Sequence, residues 1–143
     1  MGLCLLARRL LESAPSPSRS EVEAYLAELR DTEIHGEDQS VWKVGTRELE
    51  VVVCTSSAAL VAKRFGGKVM GFWADDNPTA GVNRICSGHD FAVVGDLVVD
   101  YWLREVEEVS PKAVFDLSDP KEAQEAQAWY GPQEKWSETP FPY

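Results

Sequence analysis

Basic residues are scarce in this chain and never concentrated. Fourteen Lys and Arg stand against 24 Asp and Glu, for a net charge of −10, and no basic run is longer than Arg8-Arg9. Phosphate groups are held by clustered cations, so this balance weighs against nucleic acid or an anionic membrane as the partner. Cysteine is sparse as well. Cys4, Cys54 and Cys86 are the only three, 50 and 32 residues apart. That spacing makes no disulfide framework, and an odd count without a signal peptide fits a reducing, cytoplasmic setting. Leu3-Cys4-Leu5-Leu6-Ala7 is too short for a signal core, and Arg8-Arg9 follow it where they should precede it. Leu6 stands where myristoylation at Gly2 favours Ser or Thr. No run approaches the roughly 20 apolar residues of a membrane span. There is no internal repeat and no low-complexity segment, and nothing calls for a cofactor.

What is present is compact and rich in tryptophan. The 143 residues hold five Trp, large surfaces for a core or a pocket. A chain of this length buries roughly two-thirds of the surface it exposes when unfolded, which predicts one domain over 1–143. Its N-terminal part, 1–32, reads as helical. Leu3, Leu6 and Leu10 mark a helix over 3–13, broken by Pro15 and Pro17. A second helix starts near Ser20, with Glu23 completing a capping box and Val22, Tyr25, Leu26 and Leu29 forming a stripe. Val41–Val44 reads as a short strand. A core over about 45–110 follows, then a helix and tail over 118–143. Val114-Phe115 suggests a last short strand. Ser118-Asp119-Pro120 opens a helix that runs to about Tyr130, and Gln133–Tyr143 reads as extended.

The centre of the chain is a β-hairpin. Two apolar runs, 88–94 and 97–102, flank Gly95-Asp96, a loop of the kind that closes tight hairpins. Counting outward pairs Val94 with Leu97, Ala92 with Val99, Phe91 with Asp100 and His89 with Trp102. Alternation then puts His89, Phe91, Val93, Val98, Asp100 and Trp102 on one face. His89 and Asp100 become diagonal neighbours roughly 7 Å apart, within side-chain reach. An imidazole held by a carboxylate on rigid strands is how a general base is oriented. Asp96 is explained by the turn itself.

A nucleophile is available upstream. Glu48–Val53 has the β-branched character of a strand, and from Cys54 the pattern becomes helical to Phe65, stopped by Gly66-Gly67. Cys54 therefore sits at a helix start, where free amides and the helix dipole favour a thiolate and can stabilise an oxyanion. Lys68–Trp73 reads as a strand, and the long connection 74–88 as a binding loop. In chain order the candidates are Cys54 as nucleophile, His89 as proton acceptor and donor, and Asp100 as the group that fixes the imidazole.

The run Cys54-Thr-Ser-Ser-Ala-Ala-Leu-Val-Ala-Lys-Arg-Phe-Gly-Gly-Lys-Val-Met-Gly-Phe resembles the nucleophile helix of the transglutaminase-like group of papain-like enzymes. Gly88-His89-Asp90-Phe91 and Val98-Val99-Asp100-Tyr101-Trp102 resemble that group's His and Asp strands. The resemblance covers about residues 50–103. It implies a Cys54, His89, Asp100 triad and acyl transfer or hydrolysis at an amide, ester or isopeptide bond. Asp90 and Phe91 replace the small residue and Trp usual after the His, and Tyr101 stands where Pro is usual. Gln39 and Trp42 are candidates for the upstream oxyanion donor.

These observations predict an α+β fold of papain-like, transglutaminase-like type. An antiparallel sheet of 68–73, 90–94 and 97–103 carries the Cys54 helix on its His89/Asp100 face, with extra N- and C-terminal helices. The expected function is that of a thiol peptidase, amidase, deamidase or acyltransferase acting on a protein or peptide. Trp73, Asp75, Arg84 and Trp102 are the candidate substrate contacts. Two alternatives use the same residues. One is a non-catalytic binding module that keeps the fold and makes contact through Trp73, Trp102 and Trp129. The other is a small metal site on Cys86 and His89, whose C-x-x-H spacing could be completed by Cys54 or Asp90.

Overall fold

The computed structural model describes residues 16–31, 41–44, 47–50 and 53–139. The expected helix over 3–13, Cys4, His35, Gln39 and the last residues of the tail lie outside them. Helix α1 is Arg19–Asp31. Strands β1 (Val41–Val44) and β2 (Arg47–Glu50) pair antiparallel in a ribbon of their own. Helix α2 is Val53–Phe65, so Val53 is helical where a strand is expected and Cys54 is the helix's second residue. A five-stranded antiparallel sheet follows, in the order β6-β5-β4-β3-β7. Its strands are β3 (Lys68–Trp73), β4 (Gly88–Val94), β5 (Leu97–Val99), β6 (Val114–Asp116) and β7 (Ser137–Glu138). Helix α3, Pro120–Tyr130, lies between the last two. Among the described residues no helix is long and apolar enough to cross a membrane.

The hairpin has the register its turn predicts, Ala92 opposite Val99, Val93 opposite Val98 and Val94 opposite Leu97. Of the two turn residues, Gly95 and Asp96, Gly95 alone has a positive φ, +58°, as a type II′ turn requires. The second strand is shorter than expected. After Val99 the Asp100 N–H still donates to Ala113 O at 2.7 Å. The Asp100 carboxylate then accepts from Leu103 N at 3.2 Å, and the chain winds into a π-helical turn, Trp102–Val106. The expected strand over 97–103 therefore stops at Val99, and the Phe91–Asp100 and His89–Trp102 pairings do not form.

Two layers of core lie on opposite faces of the sheet. On one, Ala58, Ala59, Val61 and Ala62 of α2 pack with α1 against Val69, Ala92, Val94 and Val99. The small side chains of α2 allow close approach to β4. On the other, Phe72, Phe91, Val98 and Phe115 pack with Trp102, Ala126 and Tyr130. His89 lies directly opposite Phe72 and so belongs to this second face. The body of α2 is thus on the face away from His89, contrary to expectation, and only its first turn brings Cys54 into the second layer. Strict alternation identifies the two faces of a strand without saying which one a helix covers.

Helix ends are set locally. Ser18 Oγ, not Ser20, accepts the first-turn amide of α1, from Glu21 N at 3.2 Å. Gly66, at φ +72°, ends α2, with Gly67 N donating back to Ala62 O at 2.9 Å. Asp119 caps α3 by accepting from Lys121 N at 2.9 Å, with Pro120 at the first position. The segment expected to be extended after 132 holds a 3-10 turn, Gln133–Lys135, before β7. The connection 74–87 carries two more such turns, Ala74–Asp76 and Gly81–Arg84.

Candidate active site

Asp100 follows the last residue of β5, and its carboxylate is held from three sides. Oδ1 accepts from Leu103 N at 3.2 Å. Oδ2 lies 2.7 Å from His89 Nε2 and accepts from Tyr130 OH, also at 2.7 Å. Asp100 is 2 % exposed, and a buried carboxylate requires such donors. An ionised carboxylate only accepts, so His89 Nε2 carries the proton of that bond. Nδ1 is then the nitrogen left to exchange a proton. It is buried and has no conventional hydrogen-bond partner.

Cys54 reaches this imidazole from the first turn of α2. Burial by itself disfavours the imidazolium. The charge and hydrogen bond of Asp100 outweigh it, with a further contribution from the nearby Cys54, so the pKa of His89 rises from its ordinary 6.5 to about 10. The thiol lies 3.9 Å from Thr55 Oγ1. Cys54 and His89 are only 3 % and 2 % exposed, so the pair is covered. The indole of Trp102 packs on the imidazole with centroids 4.8 Å apart. The expectation that Trp102 shares the face of His89 is met through the turn after β5, not through a strand.

Tyr130 is the site residue that sequence reasoning missed. It is fully buried at the end of α3, and its ring lies 6.0 Å from that of His89 at an interplanar angle of 10°. Its own carbonyl accepts from Asn77 Nδ2 at 2.7 Å and from Trp136 Nε1 at 2.8 Å. Next to it Gly131 has φ +67°, and a Cβ there would collide with the Asn77 amide. The only signal in the sequence is Tyr130-Gly131 at the helix end, which reads as an ordinary C-cap.

Asp90 fixes the approach of α2. Its Oδ2 accepts from Thr55 Oγ1 at 2.6 Å and its Oδ1 from Thr139 Oγ1 at 3.0 Å. A Cβ at Gly71, its cross-strand partner, would occupy the position of that carboxylate. Beside it opens a cavity of about 370 Å³ lined by Gly71, Trp73, Asp76, Asp90, Lys135 and Ser137 among others. Trp73 is 69 % exposed and lies over Gly88. Of the four expected substrate contacts only Trp73 lines this cavity; Asp75 and Arg84 are exposed elsewhere on the connecting loop, and Trp102 is buried. A larger depression, by Tyr25, Arg64 and Phe65, lies at the far end of α2.

Cys86 is a free thiol that donates to Val82 O at 3.6 Å, and burial pushes its pKa up to about 11. Among the described residues no group of three or more His, Cys, Asp or Glu is placed to hold a metal ion.

Comparisons with family models, with curated proteins and with solved structures find no match to this chain.

Proposed function

We propose that this chain is a thiol-dependent acyl-transfer enzyme, of the papain-like, transglutaminase-like kind its sequence resembles, acting on a protein or peptide. The observation that carries the reading is the line from Cys54 through His89 to Asp100. A thiol at a helix start faces an imidazole whose far nitrogen is held at 2.7 Å by a buried carboxylate. In the reaction Cys54 Sγ bonds to the acyl carbon of an amide, ester or isopeptide. The thiol's proton resides on His89 Nδ1 as the bond forms, as the raised pKa of that imidazole favours, and the carbonyl electron pair moves onto oxygen. The oxyanion falls to the amino-terminal end of α2, where the helix dipole favours negative charge. Collapse of the intermediate breaks the bond to the leaving amine or alcohol, which takes the proton from His89 and leaves a thioester on Cys54. Water, or an amine, then attacks the thioester and restores the thiol. The cavity beside Asp90, with Trp73 as its exposed wall, is the place for the polypeptide flanking the reacting carbonyl.

The burial of Cys54 and His89 favours a second reading, a non-catalytic binding module in which the triad is a polar knot in the core and Trp73 is the contact surface. The two are separated by incubating the protein with a panel of activated esters and glutaminyl peptides, followed by intact-mass analysis. An acyl adduct on Cys54 that disappears in Cys54→Ser supports the enzyme. No adduct with any member of the panel, in a folded protein, supports the module.

A further inference from the structure

We propose that Tyr130 is a positioning residue of the Cys54–His89 pair: its phenol fixes Asp100 Oδ2 against His89 Nε2 and takes a share of that carboxylate's charge. The inference rests on the acyl-transfer reading of the site and extends the site to α3, beyond the stretch that carries the family resemblance.

A tyrosine whose task is packing needs no charged partner, since phenylalanine would fill the same volume without a hydroxyl to satisfy. Tyr130 OH instead donates at 2.7 Å to the same oxygen that His89 Nε2 approaches at 2.7 Å. Burial, with Asp100 beside it, pushes the phenol well above its ordinary range, so it stays protonated and remains a donor. Two donors on one oxygen divide its charge. Asp100 therefore raises the basicity of His89 less than it would alone.

The placement of Tyr130 is determined several times over. Its ring meets Phe91 at 4.5 Å and Phe115 at 6.1 Å and lies parallel to His89. Its carbonyl is clamped by Asn77 and Trp136, and the missing side chain of Gly131 leaves room for Asn77. A shell that immobilises the group orienting a general base is what preorganisation demands. The connection 74–87 thereby acquires a purpose, because Asn77 anchors the end of α3. The titratable groups that face the imidazole or its carboxylate are Cys54 from α2, Asp100 from the end of β5 and Tyr130 from α3. Cys86, ahead of β4, is a fourth, lying within electrostatic range of Cys54 and Asp100. A substitution at Tyr130 leaves the other three in place.

The test is the NMR titration of His89 in the full chain, assigned against His35→Gln because there are only two histidines. In Tyr130→Phe, which keeps the ring and removes the hydroxyl, the His89 midpoint rises by about half to one pH unit. The rate of Cys54 alkylation at neutral pH changes about three- to tenfold as Asp100 loses its second anchor. A folded Tyr130→Phe protein with a His89 midpoint within about 0.2 unit of the parent overturns the proposal, because a residue that only packs would not move it. Should that variant fail to fold, Asn77→Ala combined with Trp136→Phe removes both donors to the Tyr130 carbonyl and leaves the phenol. A midpoint shift in it supports the proposal, and an unmoved midpoint overturns it. Failure of the acyl-transfer reading is recognised separately, by alkylation of Cys54 that does not depend on His89.

Discussion

Thr55 Oγ1 donates to Asp90 Oδ2 across 2.6 Å, and this bond joins the residue after the candidate nucleophile to the residue after the candidate base. Helix α2 packs mainly on the face of the sheet away from His89, so its first turn must be held at the strand ends for Cys54 to meet the imidazole. Removing the hydroxyl in Thr55→Val leaves a charged acceptor with one donor fewer. It is expected to cost about 1.5–3 kcal/mol and to slow Cys54 alkylation severalfold. Urea unfolding and iodoacetamide kinetics measure the two effects.

Gly71 gives the same anchor its space. In Gly71→Ala the new methyl group competes with the Asp90 carboxylate for one position. Overpacking of this kind costs about 1–3 kcal/mol. Thermal unfolding should show Gly71→Ala well below the parent, and the combination with Thr55→Val less than additive, because both act on Asp90.

Folding raises the pKa of His89 from 6.5 to about 10. A raised pKa contributes stability that is complete below about pH 6.5 and is lost as pH climbs towards about 10. Cys54→Ser removes the thiol's own titration from the proton count. In that background unfolding free energy should fall across the window, by at most about 1.4 kcal/mol per pH unit. Adding Asp100→Asn should flatten the fall. Urea midpoints at a series of pH values provide the check.

The two described cysteines should react differently. Burial holds Cys86 up at about 11, so it should be alkylated more slowly at pH 7 than an ordinary thiol. Peptide mapping after brief exposure to iodoacetamide should recover the label on Cys54 well before Cys86.

The sequence made some of this legible and hid the rest, for identifiable reasons. Gly95-Asp96 sets the hairpin register, because a tight turn fixes which residues face each other. Gly66-Gly67 marks the end of α2, and Asp119-Pro120 the start of α3. Counting brings His89 and Asp100 close, and their side chains do meet. Asp100 reaches the imidazole from just beyond the end of β5, however, and not from within the strand. The end of β5 was hidden because Asp100 leaves its strand through a side-chain bond to Leu103 N, a contact that no apolar pattern encodes. Strand β7 was hidden because it pairs through only two residues, Ser137 and Glu138. The face covered by α2 was hidden because the helix buries small residues, including Ser56 and Ser57, where periodicity expects large apolar ones. Tyr130 lies 30 residues beyond Asp100 and joins the site only through the packing of α3 on the sheet.

The most direct measurement of the central claim is the second-order rate of Cys54 alkylation by iodoacetamide between pH 5 and 10, in the parent protein and in His89→Ala. An activated pair gives substantial labelling of Cys54 at neutral pH, lost by an order of magnitude or more when His89 is removed. Labelling no faster than that of an ordinary thiol, and unchanged in folded His89→Ala, would contradict the account.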